Sequence, residues 1–449
     1  MYKIKQNNKP FSVSFAPPVL EALRLLETGG GEAWVVGGAV RDLLCGRKPK
    51  DWDIATSVTP ERTRAIFAGW RVLDTGVRHG TLTVIIRGCP IEVTIYRLPG
   101  DAAARAGAAS IEDDLAARDF TMNAIAYHPE RGILDPRGGH SDLRAGIIRA
   151  VGDPAARFQE DALRVLRALR LASLFGYRLA PETAAVMRRW GPRLSRVAPE
   201  RVWREFRLLL CGAQAPEILR RWPDIIGVFL PEMLPMVAFD QHSPYHIFDV
   251  YEHTLQAIAH LPPAPDLRLA MFFHDIGKPA SFFQDAAGVG HFYGHPRLSA
   301  DIAAKALKRL RSSRAERVKI CALVRWHDLD ISCRANVIRR WLRKLGPEIF
   351  FSLLKIKRAD NLAHHPDHIR PGATDKIIQT ARKILDEGDC YRLADLKING
   401  RDLLELGIPE SRDIGRILAA LLQAVVAGRC ANEKQALLLL AADEARKLK

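Results

Sequence analysis

The chain has 449 residues, of which 48% are hydrophobic and 26% charged, a globular composition at a length that indicates several domains. Lysine and arginine number 67 against 51 aspartate and glutamate, which gives a formal net charge of +16. A surface this basic attracts polyanions, so nucleic acid is the first candidate partner. The alternative is a basic enzyme whose charge serves only solubility.

Cysteine use and hydropathy exclude a disulfide scaffold and a membrane-spanning protein. No stretch approaches the roughly 18 uninterrupted apolar residues of a membrane span, and the N-terminal segment MYKIKQNNKPF lacks an apolar signal. We therefore expect a cytoplasmic protein with no membrane partner. Seven scattered cysteines form no CxxC pair and are expected to be reduced and mostly buried: Cys45, Cys89, Cys211, Cys321, Cys333, Cys390 and Cys430.

The strongly β-rich part of the chain lies between residues 33 and 97, in the runs AWVVGG, TLTVIIRG and PIEVTIYR. Gly88-Cys89-Pro90 separates the last two runs and predicts a hairpin. From about Pro154 onward the pattern is helical. In FQEDALRVLRALRLASLF the apolar residues have the spacing of one helix face: Phe158, Leu163, Leu166, Leu169 and Ala172.

Two proline- and glycine-containing breaks, at 231–244 and 366–372, predict domain edges on either side of a histidine-rich block. The last segment, INGRDLLELGIP followed by a leucine- and alanine-rich run, predicts a small helical tail. Residues 102–109 form a short alanine- and glycine-rich patch that predicts a loop.

A first group of residues has the chemistry of phosphoryl transfer. Gly37-Gly38 follows an apolar strand and can present backbone N–H groups to a phosphate, although such a turn also occurs as an ordinary strand-to-helix connection. In an extended segment Asp51 and Asp53 point the same way, and two carboxylates suit Mg²⁺ bound to a triphosphate. Two-metal catalysis needs a third acidic group, for which Glu92 is the candidate. Glu92 could equally be a solvent-facing strand residue.

Five sequence blocks follow one another over about the first half of the chain: GGAVRDLLCGRKPKDWDIAT, DLAARDFTMNAIAY, LDPRGGHSDL, RFQEDALRVLRALR and PERVWREF. In sequence and in order they resemble class II tRNA nucleotidyltransferases, a family that includes bacterial poly(A) polymerases. The resemblance implies an α+β fold: a polymerase-β-like head with a small β-sheet, then an all-α neck and body. With the other segments, we expect a catalytic head at 1–150, a neck and body at 151–235, an HD-type metal-binding domain at 236–370 and a helical tail at 371–449.

The resemblance also implies roles for individual residues. Asp51 and Asp53 would hold the catalytic Mg²⁺ ions. The groups expected near the phosphates are Gly37, Gly38, Arg41 and Lys50. The groups expected at the ribose are Arg118, Asp119 and Asn123, and those expected to read the base of CTP or ATP are Asp161 and Arg164, with Arg167 also in the nucleotide site.

The base-reading role agrees with elementary chemistry. An aspartate and an arginine three residues apart on one helix face offer acceptors and donors like those of a complementary base. For an isolated pair of this kind, a surface ion pair is the competing interpretation.

Two positions depart from the family pattern. The second block usually carries two arginines before its aspartate, and here the first position is Ala117. The stretch between Arg97 and Ser110 is also shorter, less charged and less aromatic than in enzymes that add the full CCA sequence. In the family a shortened loop is associated with enzymes that add CC and stop.

Histidines and aspartates recur in the helical second half of the chain, in YEHTL, LRLAMFFHDIGKP, YGHPRLSA, RWHDLD and KRADNLA. Their order resembles the HD phosphohydrolase superfamily, whose modules use metal-bound water to hydrolyse phosphoesters. A mixture of imidazole and carboxylate favours a transition metal, Mn, Ni, Co or Fe, over Ca²⁺. A relic fold without metal is the alternative, and His246 and His291 are interpreted as structural histidines. The expected ligands of one or two divalent metals are His253, His274, Asp275, His295, His327 and Asp360.

The sequence thus predicts an enzyme that adds C from CTP to the 3′ end of tRNA. If it completes the CCA sequence, it also adds a terminal A from ATP. CC-only addition, poly(A) polymerisation and RNA-end hydrolysis by the HD module remain alternatives. A non-catalytic RNA-binding protein is disfavoured by the two ligand sets.

Overall fold

The computed structural model describes residues 5–6, 9–10, 15–76, 80–98, 109–370 and 372–447. The chain folds as two compact units, Met1–Gln214 and Ala215–Lys449, which we call the N-terminal and the C-terminal unit. This division falls inside the segment predicted as neck and body, so the four predicted domains stay a prediction. The loop expected between Arg97 and Ser110 lies largely outside the described residues.

The N-terminal unit combines a sheet with helices, as the predicted α+β class requires. Its strands are β1 Lys5–Gln6, β2 Lys9–Pro10, β3 Ala33–Val36, β4 Trp52–Thr56, β5 Arg71–Gly76, β6 Thr81–Ile86, β7 Cys89–Ile95, β8 Ala126–His128, β9 Gly132–Leu134, β10 Ile147–Ile148 and β11 Arg178–Leu179. Its helices are α1 Pro17–Thr28, α2 Gly38–Leu44, α3 Pro60–Ile66, α4 Ile111–Ala116, α5 Gly139–Ala145, α6 Pro154–Glu160, α7 Leu163–Phe175, α8 Pro181–Trp190 and α9 Pro199–Leu210.

Seven strands form one mixed sheet in the order β5-β6-β7-β4-β3-β8-β9. Only the β4–β7 pair is parallel among these seven strands, and its register sets Asp53 opposite Glu92. β8 and β9 extend the sheet beyond the predicted β-rich region. The predicted β6–β7 hairpin is present, but its turn is Arg87-Gly88, both with positive φ, and Cys89 already belongs to β7. Two-residue hairpin turns favour this conformation because it matches the strand twist.

The helix predicted from FQEDALRVLRALRLASLF is interrupted. α6 ends at Glu160 and α7 begins at Leu163, because Asp161 takes an extended conformation and its carboxylate accepts from the Leu163 amide. An aspartate that bonds its own local backbone competes with the helix in this way. The predicted apolar face is nevertheless buried on both sides of the break, from Phe158 to Ala172.

The C-terminal unit is almost entirely helical. One short antiparallel pair interrupts it, β12 Phe283–Gln284 and β13 Gly290–His291. The helices are α10 Ala215–Arg221, α11 Pro223–Gly227, α12 Val250–Ala259, α13 Pro265–Phe273, α14 Lys278–Ser281, α15 His295–Arg309, α16 Arg314–Trp326, α17 Ala335–Leu362, α18 Asp375–Asp386, α19 Gly400–Glu405, α20 Arg412–Val426 and α21 Lys434–Lys447.

Local sequence explains where these helices begin and bend. Asp249 caps α12 by accepting from the Glu252 amide, and Ser313 forms a capping box with Glu316 at the start of α16. α17 kinks at Gly346, whose φ of 75° lies outside the helical region and which precedes a proline. Every residue of α13 from Leu267 to Phe273 is buried, so this helix forms the centre of the unit.

The predicted helical tail is α19 to α21, which pack on one another around Leu403, Leu421 and Leu437. The seven cysteines all lie in the described part of the chain and form no disulfide, as expected, but only Cys390 is buried, five are half-buried and Cys333 is exposed. Among the described residues no helix is both long enough and apolar enough to cross a membrane.

Candidate active site and metal centre

Three carboxylates meet where the parallel pairing of the two adjacent central strands β4 and β7 begins. Asp51 lies just before β4, Asp53 lies within it, and Glu92 is the partner of Asp53 on β7. Burial raises the pKa of Asp53, Arg118 opposes this, and the charge of Asp51 adds to it. Partial desolvation raises the pKa of Glu92, and the charges of Asp53 and Asp51 raise it further. Clustered carboxylates with raised pKa values are the donor set that suits a divalent cation.

The Gly37-Gly38 turn approaches these carboxylates closely. Gly37 caps α2 with a φ of 71°, and a Cβ there would lie 2.8 Å from Nη1 of Arg118 and 3.6 Å from Oδ2 of Asp53. Only glycine tolerates both this conformation and this crowding. Arg118 is fixed from behind by Asp114, whose fully buried carboxylate accepts from Nε at 3.0 Å and from Nη2 at 2.8 Å. The guanidinium of Arg118, the backbone of the Gly37-Gly38 turn and the carboxylate of Asp53 therefore lie next to one another.

A hydrogen-bonded chain links the other predicted nucleotide-binding residues. Nη1 of Arg41 donates to Oδ1 of Asn123 at 2.8 Å, and Nδ2 of Asn123 donates to Oδ1 of Asp119 at 3.0 Å. Arg167 lies 3.2 Å from the other oxygen of Asp119. Burial raises the pKa of Asp119, but Arg167 and Asn123 outweigh it and hold the pKa below its usual value. The predicted Lys50 is exposed at the surface just before Asp51.

The premise for base reading by Asp161 and Arg164 was wrong in one respect. The two residues do not share a helix face, because Asp161 lies in the break between α6 and α7. They remain adjacent, since the Arg164 amide donates to the Asp161 carbonyl at 3.0 Å. Oδ2 of Asp161 accepts from Arg201 at 2.7 Å, and the Arg164 guanidinium donates to the carbonyls of Arg157 and Ala117.

The six residues predicted as metal ligands converge in the C-terminal unit. Nε2 of His274 lies 3.2 Å from Oδ2 of Asp275 and 3.5 Å from Oδ1 of Asp360. Oδ1 of Asp275 lies 3.3 Å from Nε2 of His295 and 3.5 Å from Nε2 of His327. His253 completes the set, with Nε2 at 2.9 Å from Oδ1 of Asp360. The six side chains come from α12, α15, α17 and the C-terminal ends of α13 and α16.

Each of the four predicted histidines is oriented by a backbone carbonyl. The Nδ1 atoms lie 2.7 to 3.2 Å from the carbonyl oxygens of Ala363, Met271, Phe292 and Val324. In the tautomer that donates from Nδ1, every Nε2 lone pair faces the carboxylates of the centre. This arrangement of a second hydrogen bond on the far ring nitrogen is typical of metal-binding histidine.

The electrostatics of the cluster fit a cation as well. Burial opposes charge at His274, but Asp275 and Asp360 raise the pKa of its imidazole to about 10. Despite burial, His274 and Lys278 hold the pKa of Asp275 well below its usual value. Nε2 of His274 and both oxygens of Asp275 are buried, and no described group completes a well-aligned hydrogen bond to them. A divalent cation would satisfy these atoms.

Three residues beside this centre were not among the predicted ligands. His246, interpreted from the sequence as a structural histidine, lies with His364 and His253 as a further close group, and burial lowers the pKa of His246 to about 2. Lys278 is buried, with Nζ at 2.7 Å from Asp275 and 2.8 Å from Gln241. Only the lysine carried a local signal, since it follows His274-Asp275 in the sequence. His291 pairs with Asp285 at 2.7 Å, which agrees with the structural role predicted for it.

Comparisons with known proteins agree with the order of these elements. The family model for the poly A polymerase head domain matches residues 33–149, the model for the RNA- and SrmB-binding site of polymerase A matches 176–222, and tRNA nucleotidyltransferase domain 2 matches 296–441. The crystal structure of the Bacillus stearothermophilus CCA-adding enzyme in complex with CTP is 29% identical and has a TM-score of 0.72. That likeness covers 97% of this chain and 99% of the other.

Two examples illustrate the similarity in sequence to other proteins. The CCA-adding enzyme of Geobacillus stearothermophilus is 43% identical over 231 residues, which are 49% of this chain and 56% of that enzyme. The CCA-adding enzyme of Bacillus pumilus (strain SAFR-032) is 34% identical over 297 residues, which are 64% of this chain and 72% of that enzyme. This chain belongs to the CCA-adding enzyme family of tRNA nucleotidyltransferases.

Proposed function

We propose that the N-terminal unit transfers nucleotidyl groups from CTP to the 3′ end of tRNA, and from ATP as well if it completes the CCA sequence. The meeting of Asp51, Asp53 and Glu92 with the Gly37-Gly38 turn carries the proposal, because a triphosphate needs both a cation site and backbone donors. Relatives bearing the name CCA-adding enzyme support the choice of substrate. The matched region spans 56% of the first of these relatives, so the activity of the whole protein is part of the proposal.

In this reaction the RNA 3′-oxygen bonds to the α-phosphorus, and the bond from that phosphorus to the pyrophosphate oxygen breaks. Asp51 and Asp53 would hold Mg²⁺, which supplies charge neutralisation and a more acidic 3′-hydroxyl when bound. Arg118 was expected at the ribose, but its guanidinium lies against the Gly37 turn, so we propose that its charge also reaches the phosphates. Glu92, opposite Asp53, completes the group of three carboxylates.

The nucleotide would be selected by side chains that the structure already holds in place. Asn123 bonds both Arg41 and Asp119, so a ribose hydroxyl at this point meets a fixed pattern of donors and acceptors. Asp161 and Arg164 remain our candidates for the base edge. Because both have internal partners, base recognition requires that a base replaces the Arg201 contact of Asp161.

Incorporation assays test this proposal directly. The purified full chain is incubated with Mg²⁺ and tRNA transcripts that end at the discriminator base, at C or at CC, with CTP and ATP supplied singly and together. CTP extension of the first two transcripts supports the proposal, and ATP extension of the CC end decides for complete CCA addition. ATP-only tailing of any RNA would identify a poly(A) polymerase instead. Absence of incorporation would overturn the proposed function.

A second function is favoured by the histidine-aspartate cluster of the C-terminal unit. We propose that it binds one or two transition-metal ions and hydrolyses phosphoesters. The support is the convergence of six ligand side chains, all buried except the half-buried Asp360, beside a cavity of about 420 Å³ lined also by Lys278, Tyr245 and Tyr293. A bound metal would supply a nucleophilic water near neutral pH.

Metal content and hydrolysis of model phosphoesters test the second function. Wild-type protein loaded with Mn, Ni, Co or Fe is assayed on p-nitrophenyl phosphate and bis-p-nitrophenyl phosphate. The variant Asp275→Asn, which lacks one predicted ligand, is treated and assayed in the same way. Metal-dependent turnover that Asp275→Asn loses supports the proposal. Bound metal without turnover leaves a structural centre and contradicts the hydrolase.

A further inference from the structure

A second cavity lies in the N-terminal unit beside the nucleotide site. It has a volume of about 430 Å³, within the roughly 300–1,000 Å³ of small-ligand sites. Three segments surround it: the end of α2 with the residues after it, α5, and the turn before β11. The residues lining it are Leu44, Cys45, Gly46, Arg47, His140, Leu143, Arg144 and Tyr177, a set that contains no carboxylate.

The two arginines of this cavity lack a carboxylate partner within the described residues. Acidic groups on the same elements are engaged elsewhere: Asp42 accepts from Arg41, Asp135 from the amides at the start of α5, and Asp142 from Thr121 and Arg149. Arg47 and Arg144 therefore present uncompensated positive charge to the cavity. Such a site attracts an anion.

The position of Arg47 is set by an aromatic contact. Its guanidinium lies 4.8 Å from the ring centre of Phe175, and the guanidinium of Arg41 lies 4.7 Å from the same centre. Arg41 belongs to the chain of hydrogen bonds at the proposed ribose site, so Phe175 lies against both the nucleotide site and this cavity. A ligand here would be a neighbour of the incoming nucleotide, not the same molecule.

The remaining lining groups suit a nucleotide. Tyr177 is half-buried, with its hydroxyl 3.7 Å from the sulfur of Cys45 and its ring beside Phe175. It is the second residue of the segment that matches the RNA-binding model. Burial and the nearby Arg144 lower the pKa of His140, so this imidazole is neutral at pH 7 and can donate or accept a hydrogen bond.

We propose that this cavity binds one nucleotide of the RNA substrate, with Arg47 and Arg144 on its phosphate and Tyr177 beside its base. The proposal rests on the proposed function for the identity of the RNA, a tRNA lacking its 3′ end. Arginine forks match phosphate geometry, and stacking of a base on an aromatic ring tolerates any sequence. The site thus adds affinity next to the reacting end without reading the sequence.

Arginine substitutions in the full chain test this. Arg47→Gln, Arg144→Gln and the double variant are compared with Arg24→Gln, which removes an exposed arginine of α1 outside the cavity. Fluorescence anisotropy with a labelled tRNA transcript is measured over a range of KCl concentrations. We expect each cavity substitution to weaken RNA binding about tenfold and to reduce the slope of log K against log salt by about 1. Turnover at saturating RNA and CTP, and KM for CTP, should stay at wild-type values.

RNA affinities and salt slopes of the double variant equal to those of Arg24→Gln would overturn the proposal. A raised KM for CTP with unchanged RNA affinity would also overturn it, because the cavity would then serve the triphosphate. Alkylation of Cys45 gives an independent readout in the wild-type chain. Bound tRNA should slow its reaction with iodoacetamide several-fold and leave Cys333, exposed in the other unit, unaffected.

The experiments distinguish failure of the cavity proposal from failure of the proposed transferase function. Protection of Cys45 and salt-dependent RNA binding in a protein that incorporates no nucleotide would support the cavity and overturn the transferase. Nucleotide incorporation by a protein whose RNA affinity is unchanged by the arginine substitutions would support the transferase and overturn the proposed role of the cavity.

Discussion

Replacing Asp53 by Asn should stabilise the N-terminal unit while it removes transferase activity. Asp53 and Glu92 are opposite partners on adjacent parallel strands, which lie roughly 5 Å apart. Two charges at that distance repel by about 3 kcal/mol at an effective dielectric constant of roughly 20. Because Glu92 is exposed to solvent, we expect about 1 kcal/mol to remain.

The directions of the two pKa shifts also predict that Asp53→Asn is more stable than wild type. A carboxyl whose pKa is raised on folding contributes stability only at low pH and loses it as pH rises through the folded-state value. Both Asp53 and Glu92 have raised pKa values, so their ionised forms disfavour the folded state at pH 7. The neutral asparagine removes this penalty.

The assay is thermal unfolding in EDTA and in Mg²⁺, with hydrogen exchange of β4 peptides to identify the transition. In EDTA, Asp53→Asn should melt about 2–4 °C above wild type, the shift that about 1 kcal/mol gives in a unit of this size. In Mg²⁺ at roughly 100 times its Kd the wild type should gain about 2.7 kcal/mol and the variant much less, so the order reverses. Glu130→Gln, an exposed turn residue, is the control. A variant that is less stable in EDTA would contradict the inferred repulsion, and retained incorporation would contradict the catalytic role.

Three further predictions concern other contacts. Asp114→Asn should destabilise the N-terminal unit by about 3–5 kcal/mol in urea unfolding, because Arg118 loses its buried partner, whereas Asp113→Asn should cost much less. Arg118 and Arg97 outweigh burial and lower the pKa of Asp114. The contribution of this carboxylate to folding stability is therefore present above its unfolded-state pKa and is lost as pH falls through its folded-state pKa. The stability of Asp114→Asn should accordingly change less between pH 6 and pH 3 than that of wild type. Asn123→Ala should reduce the preference for CTP over dCTP in kcat/KM about tenfold, the value of one hydrogen bond, and an unchanged preference would place the ribose elsewhere.

The sequence alone was enough to name the carboxylates of the first centre and six candidate ligands of the second. A glycine pair before an aspartate pair, and histidines adjacent to aspartates in helices, are local patterns that carry their chemistry with them. The predicted metal ligands do converge: all but Asp360 fall in groups whose ligand atoms lie within 4.8 Å of one another, and Asp360 joins through its contact with His253. The apolar faces of the helices were also predictable, because the burial of side chains follows the helical period.

The tertiary structure decided which of these residues meet and what surrounds them. No local signal fixes that β4 and β7 run parallel with Asp53 opposite Glu92, since strand pairing depends on contacts distant in the chain. The break at Asp161 arose from competition between its side chain and the helix, with Arg201 of α9 as a partner 40 residues away. The place of His364 was decided in the same way: its ring lies 4.7 Å from that of His246 and 5.5 Å from that of His253, and both of these residues are more than 100 positions earlier in the chain.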